Sequence, residues 1–461
     1  MDFTAFILIL LGLQLICLFV GSQSAKQSET QEDYFLAGKK IRFFPLMMTF
    51  LATQVGGGLI LGAAEEAYKF GWIVLLFPLG SCLGLTALGL GIGKRLSQFQ
   101  VTTVAQIFEV NYGSPALRKM ASTLSIVSLF AIFIAQIIAS NKFMISLGVE
   151  NPLWFFLFWG IVIAYTCLGG LKAVVATDMI QAGFFAAIFF FSIGYALYAL
   201  KAPAAEVLIG SDFQEQFAFG SSRLTGWLLM PFLFMMIEQD MGQRCFAAES
   251  PKTVSRATLW AALATFLVSL VPIAFGILAK SQGLEIPAGG SVLMVAIQQL
   301  TSPLVTSFVS CAVLVAIIST ADSLINAISS NLSQDFGSVN PKIHSIRFSQ
   351  LISAFIAILG IFCSFYFNNI VDLLVLSYEL SVSCLFVPLV FALFKKQGNK
   401  LSAALAILGG VAGFVIVRTI PFETGGEIFS LILSLSGYGV GEWICSNQLL
   451  ETNPLTSIEK R

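Results

Sequence analysis

The chain has little charge and almost no histidine, and these shortages exclude several classes of protein. Charged residues make up 11% of its 461 residues, against roughly 25% in soluble domains. A single histidine, His344, cannot form a histidine-based metal cluster. Because the 25 basic and 25 acidic residues balance and are scattered, there is no basic stripe, and we expect no nucleic-acid partner.

Cysteine pairs and catalytic constellations are also lacking. The eight cysteines lie singly in apolar stretches with no CxxC spacing, which is typical of small buried hydrophobic residues. The sequence has no nucleophile paired with a base and no cofactor-binding loop, and its polar segments are too short for a catalytic domain. It therefore predicts that the protein is not an enzyme.

Long apolar runs are what the sequence does have. Hydrophobic residues make up 57% of the chain, and its mean hydropathy is +0.88. A helix of about 20 apolar residues crosses the roughly 30 Å hydrocarbon layer of a membrane. Thirteen such runs can be placed, at 3–21, 44–66, 72–93, 120–147, 153–171, 177–200, 224–246, 257–279, 303–330, 348–367, 370–394, 401–417 and 425–445. They predict an all-α polytopic membrane protein of about thirteen transmembrane helices, in contact with membrane lipid and with no obligate protein partner.

Basic residues are distributed unevenly over the connections between these runs. When successive connections are assigned to alternate sides, nineteen of the 25 lysines and arginines fall on one side. Cytoplasmic connections carry such an excess. The bias predicts an integral protein of the plasma (inner) membrane, with its N-terminus outside and its C-terminus in the cytoplasm.

Run 44–66 carries the signal of an interrupted helix. Three successive glycines, Gly56 to Gly58, follow Thr53 and Gln54, and each glycine weakens a helix by about 1 kcal/mol relative to alanine. A break at this point would free backbone carbonyls for a ligand. A close-packing face of small residues is the alternative interpretation.

Run 224–246 is a second candidate for interruption, since it contains Pro231. A polar cluster follows, at Glu238, Gln239, Asp240, Gln243 and Arg244. The simplest interpretation of that cluster is a solvated helix terminus with local arginine pairing. Because the two interrupted runs are five spans apart, they have the pattern of an inverted repeat with a binding site between its broken helices.

The segment 316–335 places polar groups inside an otherwise apolar helix. One helical face holds Ala316, Ser319, Thr320 and Ser323. Asp322 lies at the margin of this face, and a charged residue in a membrane helix costs roughly 2.5–3.5 kcal/mol. Such a face can coordinate a small cation. Asp178, at the start of run 177–200, is either part of a site or an interfacial helix cap.

Four segments, in order along the chain, resemble motifs of the sodium:solute symporter family of sodium-driven solute carriers. They are EDYFLAGKK at 32–40, GGLKAVVATDMIQ at 169–181, QRCFAAES at 243–250 and STADSLINAISSNLSQD at 319–335. The resemblance covers essentially the whole chain. It implies a LeuT-type inverted repeat of five plus five helices within a single transporter domain, 1–461. The extra N-terminal helix is then 3–21, the repeats are 44–200 and 224–394, and two C-terminal helices occupy 401–445.

The resemblance also implies that sodium is the coupling ion. Carried over by position, the family's shared sodium site falls on the carbonyls of Ala52, Val55 and Ala316 and the side chains of Ser319 and Thr320. Members with a second sodium site use an aspartate and hydroxyls, which here implies Asp178, Ser319 and Ser323, with Asp322 beside them.

The solute is expected beside the helix breaks. The residues placed there are Thr53, Gln54, Gly56, Gly57, Gly58, Gln136 and Tyr378, although Gln136 is equally suited to an interhelical hydrogen bond. The resulting prediction is a sodium-coupled secondary active symporter that imports a small organic solute by alternating access. Proton-coupled symport through Asp178 and Asp322 is an alternative, and a passive channel or a membrane sensor is a weaker one.

Overall fold

The structure is a computed structural model, and it describes residues 1–25, 30–148, 151–200, 221–336, 346–395, 397–420 and 425–451. This part of the chain is almost entirely helical. The α-helices in chain order are α1 (Phe3–Ala25), α2 (Gln31–Leu36), α3 (Phe43–Gln54), α4 (Ala63–Phe70), α5 (Leu76–Ala87), α6 (Gly93–Leu96), α7 (Val104–Tyr112), α8 (Pro115–Ser146), α9 (Pro152–Ala199), α10 (Ser221–Phe234), α11 (Gln239–Ala247), α12 (Pro251–Ser281), α13 (Val292–Leu300), α14 (Pro303–Asp335), α15 (Ile346–Ser364), α16 (Ile370–Ser381), α17 (Val387–Phe394), α18 (Lys400–Thr419) and α19 (Gly426–Glu451).

Ten helical segments in the described ranges are long and apolar enough to cross a membrane. The predicted all-α membrane class is therefore confirmed, while the count of thirteen spans stays a prediction. Several predicted spans contain an interruption or a kink, including one at Gly91 in run 72–93. Runs 44–66 and 224–246 are interrupted, and run 153–171 leads into a kink at Gly170.

Four of the long helices begin with the same sequence signal. A serine or asparagine caps the first turn by accepting a backbone N–H, and a proline follows at the first helical position. The caps are Ser114 of α8, Asn151 of α9, Ser250 of α12 and Ser302 of α14. A capping oxygen satisfies an otherwise unpaired N–H, and proline at this position loses no helical hydrogen bond. These four helix starts are thus set by local sequence.

The glycines of run 44–66 do interrupt a helix. α3 ends at Gln54, Val55 has non-helical dihedral angles (φ −89°, ψ 69°), and a π-helical turn at 58–62 precedes α4. The Gly57 N–H, freed by the break, donates to Gln136 Oε1 at 2.7 Å. A side chain of α8 therefore satisfies the backbone group that the break leaves without a helical partner.

Run 224–246 is interrupted as well, but not at its proline. Pro231 lies inside α10, which continues to Phe234, and α11 starts only at Gln239. Glu238, just before α11, has extended dihedral angles (φ −64°, ψ 136°). The intervening turn lies inside the protein, since 235–238 are all buried.

Helix α14 is the centre of the molecule. It packs against α8, α9, α15 and α1, and nearly every residue from Val305 to Asp335 is buried. The outward faces of α1, α15 and α19 instead carry exposed leucine, isoleucine and phenylalanine side chains, as expected of lipid-facing surfaces.

The four motif segments meet around the N-terminal part of α3. Gln243 donates to the Phe35 carbonyl (2.6 Å) and to Asn326 Oδ1 (3.0 Å). Gly170 has φ +60°, and a Cβ atom there would lie 2.5 Å from the Tyr34 carbonyl oxygen. Only glycine fits both the left-handed conformation and the close approach. Motifs that are distant in the sequence therefore form one contiguous structure.

Candidate ion and solute site

Thr320 connects α14 to the broken end of α3. Its hydroxyl donates to the carbonyl oxygens of Ala52 (3.3 Å) and Thr53 (3.1 Å). These carbonyls belong to the last turn of α3, where the break at 55–57 removes the helical N–H groups that would follow. Val55 and Ala316 are fully buried next to this junction. The Thr320 hydroxyl and the Ala52 carbonyl, two of the groups that the resemblance implies for the first sodium site, are thus in contact.

The glycines pack closely against this junction. A Cβ atom on Gly56 would lie 2.6 Å from Thr320 Oγ1 and 2.7 Å from Gln136 Oε1, and one on Gly57 would lie 2.3 Å from the Ala139 methyl carbon. A Cβ atom on Gly58 would meet Leu374 at 2.1 Å. The helix break and the close-packing face, the two interpretations of the glycines, therefore both apply to this segment.

Asp178 lies in a second polar cluster and is completely buried. Its carboxylate accepts hydrogen bonds from Ser319 Oγ and from Thr49 Oγ1, both at 2.5 Å. The Arg244 guanidinium lies 3.7 Å from its second oxygen. Asp178 is therefore not an interfacial helix cap.

Arg244 supplies the positive charge of this cluster. It is 0% exposed and is the only lysine or arginine that is buried in the described part of the chain. Its guanidinium donates to Thr49 Oγ1 (3.0 Å), Ser323 Oγ (2.7 Å) and the Asp240 carbonyl (3.0 Å). Asp240 Oδ2 lies 4.0 Å from it.

The expectation of a solvated helix terminus at 238–244 is wrong. All of its polar residues are buried, namely Glu238, Gln239, Asp240, Gln243 and Arg244. The interruption places α11 inside the protein, where Gln239 accepts the Val104 N–H (2.7 Å) and Gln243 binds the first motif segment. Pro231 is the one sequence feature that indicated an interruption here, but a proline does not specify the direction that the chain takes after the break.

Asp322 faces a different neighbour from Asp178. Its carboxylate accepts a hydrogen bond from Thr166 Oγ1 of α9. Ser323 instead bonds with Thr53 (3.1 Å) and Arg244. The structure therefore brings Asp178, Ser319 and Ser323 around the arginine, while Asp322 bonds to α9.

The residues expected to bind solute surround a cavity of about 40 Å³ at the two breaks. Its lining includes Thr53, Gln54, Gly56, Gly58, Gln136 and Tyr378 from the expected set. The Gly57 N–H is bonded to Gln136, and the Gln54 amide contacts Met241 Sδ at 3.6 Å. The lining also includes residues that were not expected to contact solute, among them Phe77, Ser81, Glu238 and Asp240.

The arrangement suits a hard monovalent cation beside a small solute. Uncharged carbonyl and hydroxyl oxygens at the α3–α14 junction can replace the water around such an ion. Thr53 and Thr320 belong both to this junction and to the cavity lining. An ion at the junction and a solute in the cavity would therefore both lie next to Thr53 and Thr320.

Comparison with known proteins finds relatives over most of the chain. The model of the sodium:solute symporter family matches residues 34–410. The chain is 23% identical to high-affinity choline transporter 1 of Drosophila melanogaster, over 94% of this chain and 72% of the relative. It is 22% identical to the osmoregulated proline transporter of Bacillus subtilis (92% and 91% covered) and 22% identical to the sodium/pantothenate symporter of Haemophilus influenzae (89% and 90%).

Solved structures share the architecture at low identity. A Na⁺-coupled sialic acid symporter, solved substrate-bound and outward-open, superposes with a TM-score of 0.76 at 16% identity, over 95% of this chain and 98% of that one. Mhp1, a nucleobase-cation-symport-1 family transporter, gives 0.61 at 14% identity, over 90% and 95%. These likenesses confirm the predicted LeuT-type fold, and the relatives are named as transporters rather than enzymes. The chain is an integral membrane protein and belongs to the sodium:solute symporter family.

Proposed function

We propose that this protein uses one sodium ion to drive import of a small organic solute by alternating access. The observation that carries the proposal is the bond between Thr320 and the carbonyls at the broken end of α3. A hydroxyl hydrogen can rotate, so a sodium ion at this point can take the carbonyls and the Thr320 lone pairs as ligands. Bound sodium then holds α3 and α14 together. Ala52, Val55, Ala316, Ser319 and Thr320 are the proposed ligands.

The position of the cavity supports a solute site beside the ion. It lies between the interrupted helices and shares Thr53 and Thr320 with the ion site. Sodium binding therefore orders one wall of the solute site, which couples the two ligands through a common structure. Thr53, Gln54, the Gly56–Gly58 backbone, Gln136 and Tyr378 are the proposed solute contacts. Relatives named for choline, proline and pantothenate support a small organic solute.

A single sodium ion is proposed because Arg244 lies in the second polar cluster. Its guanidinium contacts Ser323 and faces Asp178, two of the residues that the resemblance implies for a second ion. A fixed positive charge there replaces a second sodium ion. With Arg244 in this position, Asp178 and Ser323 orient the arginine, while Ser319 donates to Asp178 and is proposed to bind the sodium ion as well.

Sodium is favoured over protons by the bonding of the two aspartates. Asp178 accepts two hydroxyl hydrogen bonds and faces a guanidinium, and Asp322 accepts a bond from Thr166. Each carboxylate is thus held in a network of hydroxyl donors. A proton carrier must instead bind and release a proton during each cycle, which would require these hydrogen bonds to rearrange.

The proposed setting is the plasma (inner) membrane, with the N-terminus outside. The domain is proposed to be single, with repeats 44–200 and 224–394. A fluorescent protein fused after Arg461 should mature and fluoresce, because it would fold in the cytoplasm. An alkaline phosphatase fused at the same position should stay inactive, and the opposite pair of results would reverse the orientation.

The ion site is tested by Thr320→Ala in the purified protein. Sodium should raise the thermal unfolding midpoint of the wild type, and potassium should not. Thr320→Ala should shift the sodium concentration for half-maximal stabilisation upward by about tenfold or more, since one ligand and one interhelical bond are lost. Thr258→Ala is the matched control, because that buried hydroxyl bonds within its own helix to the Val254 carbonyl. An unchanged sodium response in Thr320→Ala would place the ion elsewhere.

A further inference from the structure

Two carboxylates face the solute cavity at the break between α10 and α11. Glu238 and Asp240 both line it, and they are 6% and 0% exposed. Among the described residues, no donor makes a well-aligned hydrogen bond to Glu238 Oε2 or to either Asp240 side-chain oxygen; the two carboxyl groups contact each other, and Asp240 lies beside the first N–H groups of α11. Buried carboxylate oxygens almost always have a partner. A partner that is absent from the protein chain itself is therefore expected at these oxygens.

The charges of the protein do not balance these two groups. Arg244 is shared, because its guanidinium nitrogens lie 3.7 Å from Asp178 and 4.0 Å from Asp240. Glu238 has no basic nitrogen within 4.0 Å among the described residues. Desolvated charges are tolerated when an opposite charge pairs with them. The cavity therefore has a local excess of negative charge that a bound cation would neutralise.

Aromatic rings form another part of the wall. Tyr378 and Phe77 line the cavity, with stacked rings 6.5 Å apart. Phe234 also stacks on Tyr378, with ring centroids 4.5 Å apart, which holds the tyrosine ring in place. The face of an aromatic ring attracts a cation, and a quaternary ammonium group, which donates no N–H, depends on such contacts.

We propose that the transported solute is an organic cation whose ammonium head group binds between the Glu238 and Asp240 carboxylates and the Phe77 and Tyr378 rings. The proposal rests on the sodium-coupled symport proposed above and names the class of solute. The cavity is small, about 40 Å³, which limits the buried part of the solute to a small head group. Sugars have no charge for the carboxylates to pair with, and carboxylate solutes would be repelled.

Two rival partners for the carboxylates are a shared proton and sodium itself. The two carboxyl groups lie close enough to interact directly, so one proton could be shared between them. Sodium bound there would make the cavity part of the ion site. Both rivals predict that a positively charged solute binds no better than an uncharged solute of equal shape.

The test compares two probes that differ only in charge. Choline carries a quaternary nitrogen, and 3,3-dimethyl-1-butanol has a carbon in its place. Thermal stabilisation and competition would be measured on the full-length protein in nanodiscs, with sodium or potassium present, and proline, pantothenate and glucose would complete the panel. We expect choline or a smaller alkylammonium ion to stabilise the protein in sodium, and the uncharged probe to bind at least tenfold more weakly.

Glu238→Gln and Asp240→Asn test the two carboxylates separately. Each should weaken binding of the cationic probe by about 10–100-fold, because a desolvated charge pair is lost. Each should leave stabilisation by sodium within about threefold of wild type, which also shows that the variant is folded. Glu427→Gln is the matched control, since that buried carboxylate accepts a bond from Thr225 away from the cavity. Glu427→Gln should change neither the binding of the cationic probe nor the stabilisation by sodium.

The outcomes separate the two proposals. If a neutral or anionic solute is stabilised or transported in sodium and the cations are not, the cationic class is wrong while symport stands. If both variants lose their sodium response, the carboxylates belong to the ion site and the cationic class is again wrong. If no solute shows sodium dependence and uptake follows a pH gradient instead, the proposed sodium-coupled function fails.

Discussion

Arg244 is the residue on which the proposed number of sodium ions depends. It is fully buried, and its guanidinium reaches α3 at Thr49 and α14 at Ser323, and faces α9 at Asp178. A buried arginine is tolerated only where carboxylates and hydroxyls surround it. These same groups could bind a sodium ion, so guanidinium and ion are alternatives for one position.

Removing this charge should expose the position to sodium. Arg244→Gln should lower stability by about 3–5 kcal/mol at low sodium, because Asp178 loses its buried counter-charge. High sodium should recover part of the loss, so the rise of the unfolding midpoint with sodium should exceed that of the wild type. Arg418→Gln is the control, since it removes the partner of Glu379 (2.8 Å) outside the site. Equal sodium responses in Arg244→Gln and wild type would mean that the guanidinium does not occupy an ion position.

Gly56 is a second residue whose role can be isolated. In Gly56→Ala the new methyl group would meet Thr320 Oγ1 at 2.6 Å and Gln136 Oε1 at 2.7 Å, so one of these side chains must move. We expect sodium affinity to fall at least tenfold, as measured by sodium-dependent thermal stabilisation. Gly160→Ala should have no such effect, because no atom lies within 4 Å of the added carbon. Unchanged affinity in Gly56→Ala would separate the glycine contacts from ion binding.

At the scale of helices, the C-terminal end of α14 is tied to α7 and α8. Asp335 accepts from Arg118 Nε and from Thr103 Oγ1, both at 2.8 Å, and Arg118 also pairs with Glu109 at 2.8 Å. Asp335 is almost completely buried. This network fixes the C-terminal end of α14 against α7 and α8.

The network should behave as a coupled unit in unfolding. Asp335→Asn and Arg118→Gln should each destabilise the protein, and the double variant should be more stable than the sum of the single losses predicts. A coupling energy of about 1–3 kcal/mol is expected for buried residues that share a hydrogen-bonded network, measured by a double-mutant cycle on unfolding in detergent. Lys39 and Glu32, an exposed pair at 3.2 Å, provide the control cycle, with a coupling below about 1 kcal/mol. Additive losses at Arg118 and Asp335 would contradict a shared network.

The first break was predicted from the sequence, whereas the second break was not located, and the starts of α8 and α12 were placed five and six residues too late although their capping residues are a local signal. Serine–proline pairs and successive glycines act locally, through caps and low helix propensity. Residues 238–244 were misinterpreted because their environment depends on where the chain turns after Pro231. A polar cluster near a helix end has the same local sequence pattern whether it is solvated or buried against distant partners. The contacts of Asp178, Ser319 and Arg244 cross more than 60 residues of sequence, so no local pattern specifies them.

At the scale of the whole molecule, the proposals fix how much charge moves with each solute. One sodium ion and one monovalent organic cation carry two positive charges inward per cycle, while Arg244 remains in the protein. Each charge moved through a potential of about 100 mV releases roughly 2.3 kcal/mol. Two charges would therefore support accumulation on the order of 10³-fold from the membrane potential alone, since about 1.4 kcal/mol corresponds to tenfold.

The charge-to-solute ratio brings the ion and solute proposals together in one measurement. In proteoliposomes with a clamped potential, current and uptake of radiolabelled solute should give a ratio of two for a monovalent cation in the wild type. In Arg244→Gln the ratio should rise toward three, because a second sodium ion can bind beside Asp178. Thr258→Ala should keep the wild-type ratio. A wild-type ratio of three would mean that two sodium ions bind despite the arginine. A ratio of one would mean either that the solute is uncharged or that sodium does not move with it. Repeating the uptake measurement without sodium distinguishes these two cases.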